Sequence, residues 1–162
     1  MPPTNIVIRK ASPTDLAQLY ILLRDKAEFD GMLAALTASE AELGAILSSH
    51  SPGCEFAVAD MDGVLVGFVS YYSVFSTYAA RPGLWMDDLF VDERFRGRGI
   101  GKELLKFVAA EAARRNCCKL EWSLLTSNSR GIAFYEREGA VVRENNRFAK
   151  LDESGITQLL AG

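Results

Sequence analysis

The sequence predicts an α/β domain built on a mixed, largely antiparallel sheet. Apolar runs of strand length alternate along the chain with stretches whose apolar residues recur at helical spacing. An Asp-Gly pair at Asp62-Gly63, a strong short-range signal for a hairpin, lies between two of the strand-like runs. Near residue 100 a strand-like run passes through three glycines into an amphipathic helix. The predicted order is strand, two helices, three strands, helix, strand, helix and two strands.

The first half of the chain is predicted to contain three strands and two helices. The first strand covers residues 6–10, and residues 12–15, Ser-Pro-Thr-Asp, begin a helix that ends near Gly31. A Ser-x-x-Glu capping box at Ser39 predicts a second, short helix. The two strands of the hairpin then cover residues 55–60 and 64–75.

The second half is predicted to continue the sheet around one long helix. Residues 76–83 contain Arg-Pro-Gly and are predicted to form a loop before a buried strand at 85–91. The long helix starts at Ile100, and its apolar face comprises Ile100, Leu104, Phe107, Val108 and Ala112. The remaining predicted elements are a strand at 119–125, a helix at 128–139 and a closing hairpin formed by 140–143 and 147–151.

Composition narrows the class of protein. A chain of 162 residues is long enough for one domain with its own core, so we expect a single domain covering 1–162. Hydrophobic residues make up 49% and charged residues 24%, as in a soluble globular protein. The formal net charge of −3 argues against a nucleic-acid surface and is compatible with a cationic ligand. Without a signal peptide or a membrane-spanning run, the expected location is cytoplasmic, with no membrane partner.

The three cysteines, Cys54, Cys117 and Cys118, predict neither a disulfide framework nor a metal site. Their number is odd, and their spacing is not that of zinc ligands. We therefore expect reduced structural residues and no metal, although the adjacent Cys117 and Cys118 leave a reactive thiol open.

The glycine-rich junction at residues 96–101, Arg-Gly-Arg-Gly-Ile-Gly, has a possible chemical use. The first turn of a helix has unpaired backbone N–H groups and the positive end of the helix dipole, and glycine lets an anion approach the backbone. With its two arginines, the junction therefore predicts a phosphate site, while a purely structural tight turn is the alternative. It is not a P-loop, because Gly101 is followed by Lys102-Glu103 instead of Lys-Ser or Lys-Thr.

Residues 96–101 also resemble the acetyl-CoA pyrophosphate motif of the GNAT N-acetyltransferase superfamily, Arg/Gln-x-x-Gly-x-Gly/Ala. Residues 128–140 resemble a second segment of that superfamily, Asn-x-x-x-x-x-Phe-Tyr-x-x-x-Gly-Ala. The sequences of residues 85–91 and 27–30 are similar to those of the diamine (spermidine/spermine or thialysine) N-acetyltransferases. The resemblance implies a GNAT-type mixed, mostly antiparallel central sheet flanked by helices, with a cofactor cleft between diverging central strands.

The same resemblance implies acetyl-CoA as co-substrate and a set of residues that contact it. A backbone N–H of the strand at 89–91 would bind the acetyl carbonyl oxygen. Asn128 matches a coenzyme contact, but it could equally be only the N-cap of its helix. Where the diamine relatives commonly have serine, this chain has Gly131. The implied contacts are Leu89, Phe90, Val91, Arg96, Gly97, Arg98, Gly99, Ile100, Gly101, Lys102, Asn128 and Tyr135.

Acetyl transfer to an amine needs a base for the amine, a stabilised carbonyl oxygen and an acid for the departing thiolate. Tyr135 matches the position of the family's acid; the alternative is that Tyr135 only packs beside Phe134. Asp87 and Asp88 are candidates for the base, with a structural salt bridge as the alternative for either, and are expected on opposite faces of one strand. His50, the single histidine, lies in a predicted exposed loop and is a poor candidate.

The expected acceptor is a small cationic amine, such as a diamine or a thialysine-like side-chain amine. Three further acidic residues, Glu28, Asp30 and Glu144, match acidic positions of the family, although each judged alone would be a surface charge. The polyamine enzymes of the family that this chain resembles have a tryptophan near the position of Asn146, and its absence here favours short diamines over long polyamines. A protein or peptide acetyltransferase and a non-catalytic acetyl-CoA-binding module are the alternatives, and a homodimer is implied by resemblance alone. The residues expected to bind the acceptor are Glu28, Asp30, Asp87, Asp88 and Glu144.

Overall fold

The computed structural model describes residues 5–162. The described chain divides into two compact units, one ending at Ser123 and the other comprising Leu124–Gly162. The single domain expected from the sequence stays a prediction. No helix among residues 5–162 is both long and apolar enough to cross a membrane.

The first unit contains a five-stranded sheet in which neighbours in the chain are neighbours in space. The strand order is β1-β2-β3-β4-β5, with antiparallel pairing except between β4 and β5, which are parallel. A parallel pair needs a crossover connection, and the long helix supplies it. The mixed, mostly antiparallel sheet is therefore confirmed. The strands are β1 (Ile6–Lys10), β2 (Glu55–Met61), β3 (Val64–Ser76), β4 (Arg81–Val91) and β5 (Leu120–Glu121).

Three α-helices accompany this sheet: α1 (Leu16–Phe29), α2 (Glu40–Leu47) and α3 (Ile100–Arg114). The predicted capping box is present at α2, where the Ser39 hydroxyl accepts from the Glu42 amide and the Glu42 carboxylate accepts from the Ser39 amide. Short 3-10 turns lie at Pro13–Asp15, Leu33–Ala35 and Glu93–Phe95.

The core of the first unit is apolar where α1, α2 and the sheet meet. Leu19 and Leu22 of α1 pack in one cluster with Leu43 of α2 and with Phe68 and Phe90 of the sheet. The predicted face of α3 is largely confirmed, because Ile100, Leu104, Val108 and Ala112 are buried. Amphipathic helices gain most of their stability from packing of this kind.

The loop predicted at residues 76–83 is shorter than expected and covers only 77–80, since β3 and β4 pair up to Ser76 and Arg81. Pro82 therefore lies in a strand, where a proline removes one backbone donor. The carbonyl of Pro82 accepts from Cys118 N at 2.8 Å, and Leu84 N donates to Lys119 O at 3.0 Å. The Pro82 carbonyl and the Leu84 amide therefore both point away from β3. The N–H that Pro82 lacks would point the same way, so its absence removes no hydrogen bond between β3 and β4. The strand predicted at 119–125 is shorter than expected and covers only Leu120–Glu121.

The second unit contains two helices, α4 (Ser129–Arg137) and α5 (Glu153–Ala161). The helix predicted at 128–139 is confirmed. The closing hairpin is wrong, because residues 140–151 include no strand. Val141 and Phe148 are 86% and 77% exposed, so this segment buries no apolar face that would hold a strand in place.

Helix α5 was not predicted, although the sequence contains a signal for it. The Asp152 side chain accepts from Gly155 N at 2.9 Å, which is the bond of a helix N-cap. Ile156, Leu159 and Leu160 then recur at helical spacing. An acidic cap followed by this spacing is the pattern that predicts a helix start.

Candidate active site

The central feature of the candidate site is an open edge of β4. The parallel ladder between β4 and β5 consists of two pairs, Leu84 with Leu120 and Trp85 with Glu121. Beyond Trp85, β4 continues for six residues, 86–91. They have β3 on one side and, within residues 5–162, no strand on the other. A strand edge of this kind presents backbone N–H and C=O groups that a ligand can use.

The hydrogen bonds of β4 show which amides face the open edge. Asp88 N donates to the Ser70 hydroxyl at 3.0 Å, and Asp92 N donates to Val66 O at 3.0 Å. Both bonds point toward β3, and backbone groups alternate between the two sides of a strand. The amides of Leu89 and Val91 are therefore directed to the open edge, at the positions where the sequence predicted a carbonyl-binding N–H.

A β-bulge interrupts β4 at the predicted catalytic carboxylates. Ser70 is opposite Asp88 and Tyr71 is opposite Met86, so Asp87 is an extra residue with no partner in β3. The prediction that Asp87 and Asp88 lie on opposite faces assumed an unbroken strand. That assumption is wrong, because alternation is interrupted between Met86 and Asp88.

The bulge gives Asp87 an unusual environment. Its side chain is exposed, but neighbouring groups remove part of its hydration. This desolvation raises the pKa of Asp87, and the adjacent charge of Asp88 raises the pKa further. A side-chain hydrogen bond with Trp85 and the charge of Lys26 act in the opposite direction without cancelling the effect. Asp87 is thus a stronger base than an ordinary aspartate.

Asp88 forms the salt bridge that the sequence analysis gave as an alternative, within an ion-paired cluster whose lysine the sequence analysis did not identify. Lys26 Nζ of α1 lies 3.0 Å from Asp88 Oδ1 and also contacts the carboxylate of Asp30. Burial by itself lowers the pKa of Lys26, but the hydrogen bond to Asp30 and the charge of Asp88 outweigh burial and raise the pKa. The i,i+4 spacing of Lys26 and Asp30 was visible in the sequence, but the contact with β4 was not.

Glu28 lies on α1 but outside this cluster. It is exposed and has no ion pair among the described residues, whereas Asp30, two residues further along the chain, pairs with Lys26. The structure therefore brings three of the predicted carboxylates together, Asp30, Asp87 and Asp88, around one lysine.

Cys54 adjoins the two aspartates and stays protonated. Burial and the nearby charge of Asp87 raise the pKa of the Cys54 thiol to about 11. All three cysteines are free. No group of three or more His, Cys, Asp or Glu side chains within residues 5–162 is arranged to hold a metal ion.

The glycine-rich turn has the geometry that both of its interpretations require. Gly97 and Gly99 have φ angles of +77° and +81°, in the left-handed region that favours glycine. A Cβ built on either residue would meet no atom within 4 Å, so the backbone borders open space. Gly99 is the N-cap of α3, whose first-turn amides lack partners within the helix. The residues fit an anionic group at this position.

The two arginines of the turn differ in their surroundings. Arg96 donates from Nε to Val91 O at 2.9 Å, lies 3.2 Å from Glu93 and stacks over the Phe29 ring at 4.5 Å. Its charge is thus engaged within the protein, and it covers the Val91 carbonyl on the open edge of β4. Arg98 is exposed and lies over the Phe95 ring at 5.4 Å, and Lys102 is exposed on the first turn of α3.

Asn128, Tyr135 and Glu144 belong to the second unit. Asn128 Oδ1 accepts from Gly131 N at 2.9 Å, which confirms the N-cap. A Cβ on Gly131 would lie 2.5 Å from Asn128 Nδ2, so a serine there would displace the capping side chain. Tyr135 is buried, with its ring edge-on to Phe134 at a centroid distance of 4.9 Å. Glu144 is exposed.

Comparison with known protein families matches residues 16–140 to the acetyltransferase (GNAT) family. The chain belongs to the GNAT family. The family and its N-acetyltransferase relatives support an acetyl-CoA-dependent N-acetyltransferase.

Relatives of this GNAT enzyme include acetyltransferases of small amines. A thialysine N-epsilon-acetyltransferase from Sus scrofa is 26% identical over 144 residues, covering 84% of each chain. A spermine/spermidine N(1)-acetyltransferase from Bacillus subtilis is 35% identical over 82 residues, covering 48% of this chain and 53% of the relative. Among solved structures, an integron cassette protein from V. cholerae has a TM-score of 0.79 and 25% identity, covering 99% of this chain and 100% of the other.

The bond between Ser70 and Asp88 generates a prediction about the bulge. Ser70 is 2% exposed, so Ser70→Ala leaves the amide of Asp88 without its acceptor. We expect the free energy of unfolding to fall by about 1–2 kcal/mol, measured by urea denaturation. Ser73→Ala, at an exposed serine of the same strand, is the matched control and should change it by less than about 0.5 kcal/mol. Equal losses in the two variants would contradict the assignment.

Proposed function

We propose that this enzyme transfers the acetyl group of acetyl-CoA to a primary amine of a small cationic acceptor, with Asp87 as the base. The observation that carries the proposal is the bulge, which puts a carboxylate of raised pKa two residues from the Leu89 amide on the open edge. Direct attack of an amine on a thioester needs a proton acceptor and a donor to the carbonyl oxygen close together. The geometry of β4 supports this pairing of roles.

The residues of the glycine turn and the open edge would hold the co-substrate. The backbone of 97–101, with Arg98 and Lys102, would bind the pyrophosphate, and the amide of Leu89 would donate to the acetyl carbonyl oxygen. Acetyl-CoA supplies the activated acetyl group. Arg96 would position the turn through Val91 and Phe29, because its guanidinium already has these partners. Phe90, Asn128 and Tyr135 remain proposed contacts that rest on resemblance to the family.

Tyr135 would protonate the departing thiolate. A phenol has a reference pKa of about 10 and a thiol of about 8.5, so in water the transfer is uphill, and the site must favour it. The family motif at 128–140 supports this role, and burial of the ring next to Phe134 would limit its motion.

The proposed acceptor is a short diamine or a thialysine-like side-chain amine. The relatives named for activity on thialysine and on spermine and spermidine support a small amine with more than one charge. An amine with a reference pKa near 10.4 is neutral in only about one molecule in a thousand at pH 7.4, so a base beside it matters. Asp30 and Asp88 would contribute to binding. A role for the exposed Glu28 and Glu144, a homodimer and a cytoplasmic location stay predictions.

A substrate panel tests the proposal. Purified protein with acetyl-CoA would be given diamines, thialysine, lysine, polyamines, monoamines and peptides, and thiol release would be followed. We expect the highest kcat/KM for a small dicationic or side-chain amine. A preference for peptides, or for neutral or anionic acceptors, would overturn the acceptor class.

The glycine turn predicts the effect of a charge at Gly99. Gly99→Glu places a carboxylate in the open space before α3, where repulsion of the pyrophosphate should weaken acetyl-CoA binding measured by calorimetry. Gly99→Gln is the matched control, since it imposes the same size and the same backbone strain without the charge. Affinity should fall more for Glu than for Gln. Unchanged affinity in a folded Gly99→Glu protein would rule the site out.

The proposed acid predicts a separation of binding from turnover. Tyr135→Phe removes one hydroxyl and retains the packing against Phe134, so acetyl-CoA affinity should persist while kcat falls by about 10²–10⁴-fold. Steady-state kinetics and calorimetry measure the two quantities. A kcat within about twofold of the parent would leave Tyr135 as a packing residue.

The raised pKa of Asp87 predicts the shape of the pH profile. Log kcat/KM should rise with a slope of about one near neutral pH, because the amine must be deprotonated. Below the pKa of Asp87 the slope should steepen to about two as the base is also protonated, at a pH above the ordinary aspartate value of 3.8. Asp88→Asn removes a charge that raises this pKa, so the steepening should move to lower pH.

Asp87→Asn supplies the control for this profile. The variant lacks the titrating group, so its activity should be low and its profile should show no steepening. Circular dichroism over the same pH range would verify that each variant stays folded. A steepening at the same pH in Asp87→Asn would show that another group is the base.

A further inference from the structure

Lys26 lies where an acceptor cation would be expected. It extends from the last turn of α1 to β4 and contacts two carboxylates, Asp30 on its own helix end and Asp88 on the sheet. The three side chains are largely removed from water, with exposures of 18%, 25% and 26% for Lys26, Asp30 and Asp88. One internal cation therefore already neutralises part of the acidic cluster.

This arrangement changes what the cluster can offer a substrate. Asp88 and Asp30 share the single positive charge of Lys26, while Asp87 has no ion pair of its own among the described residues. A second ammonium group of an acceptor would need Asp88 or Asp30 and would have to compete with Lys26 for it. Partly buried pairs are screened less by salt than exposed pairs, so this competition persists at physiological ionic strength.

We propose that Lys26 is a specificity-determining residue that holds the place of the acceptor's second positive charge and so restrains the binding of dications. The inference rests on the proposed acceptor site at Asp87 and Asp88 and adds no new site to it. If Lys26 has this role, the enzyme prefers diamines over monoamines less strongly than it would if Asp30, Asp87 and Asp88 were present without Lys26.

The charged state of Lys26 supports this role. Because its neighbours raise its pKa above the ordinary 10.5, Lys26 stays protonated over the working range of the enzyme. Other groups around Asp87 are Cys54, which is protonated, and Tyr72, whose pKa is raised first by burial and then by Asp87. The charge of Lys26 lowers the pKa of Asp87.

Two substitutions in the same network separate this role from a structural one. Lys26→Met and Asp30→Asn both break an ion pair and should both reduce stability. Lys26→Met removes the competing cation, so the Kd and KM for 1,4-diaminobutane should fall by about fivefold, the scale of a partly screened ion pair. In Asp30→Asn, Lys26 keeps only Asp88 as an ion-pair partner and competes more strongly for it, so the Kd and KM for 1,4-diaminobutane should rise. The Kd and KM for butylamine, the matched monoamine, should change by less than about twofold in either variant.

Calorimetry of amine binding and steady-state kinetics would be run on the parent, both variants and Lys26→Arg, which keeps the charge and should keep the parent preference. Lys26→Gln would replace Lys26→Met if the latter does not fold. Shifts of the diamine constants in the same direction for Lys26→Met and Asp30→Asn would overturn the inference and leave a structural network. If the parent acetylates diamines and Asp87→Asn loses that activity, the proposed function survives such a result. If no variant, Asp87→Asn included, alters amine binding, both the inference and the proposed acceptor site are wrong.

Discussion

The candidate site depends on the short pairing between β4 and β5. Two ladder pairs hold these parallel strands together, and beyond Trp85 no strand within residues 5–162 covers the other side of β4. A full ladder would have satisfied the amides of Leu89 and Val91 and left no backbone donor for a ligand. The long helix α3, which makes the parallel connection possible, also begins at the glycine turn, so one crossover supplies both the open edge and the anion-accepting turn.

Much of the fold was accessible from the sequence because local chemistry and packing agree there. The capping box at Ser39, the Asp62-Gly63 turn and the apolar face of α3 each correspond to an observed element. Asp62 and Gly63 have φ angles of +54° and +89°, which explains why this dipeptide predicts a tight turn. In these cases the local preference and the global structure demand the same conformation.

The errors occurred where a distant partner decides the outcome. Pro82 is tolerated in a strand only because its backbone faces Cys118, a neighbour 36 residues away in sequence that the local pattern does not show. The bulge at Asp87 leaves no trace in composition, since one extra residue in a strand alters no periodic pattern over so short a length. The bond between Lys26 and Asp88 joins a helix to a strand, and the sequence analysis therefore counted acidic residues without their counter-ion.

The protonated thiol of Cys54 has a practical consequence for chemical labelling. With a pKa of about 11, only about one Cys54 side chain in several thousand is a thiolate at pH 7.4, and the thiolate is the form that reacts with maleimides. Cys118 is exposed instead, and its amide is bonded to Pro82 at the end of β4 where the sheet is fully paired. A fluorophore attached there would report on the closed end of the strand while the carboxylates beside Cys54 remain unmodified. With the neighbouring, half-buried Cys117 replaced, Cys118 thus provides an attachment point for following motions of β4 relative to β5, and Cys54 can stay in place.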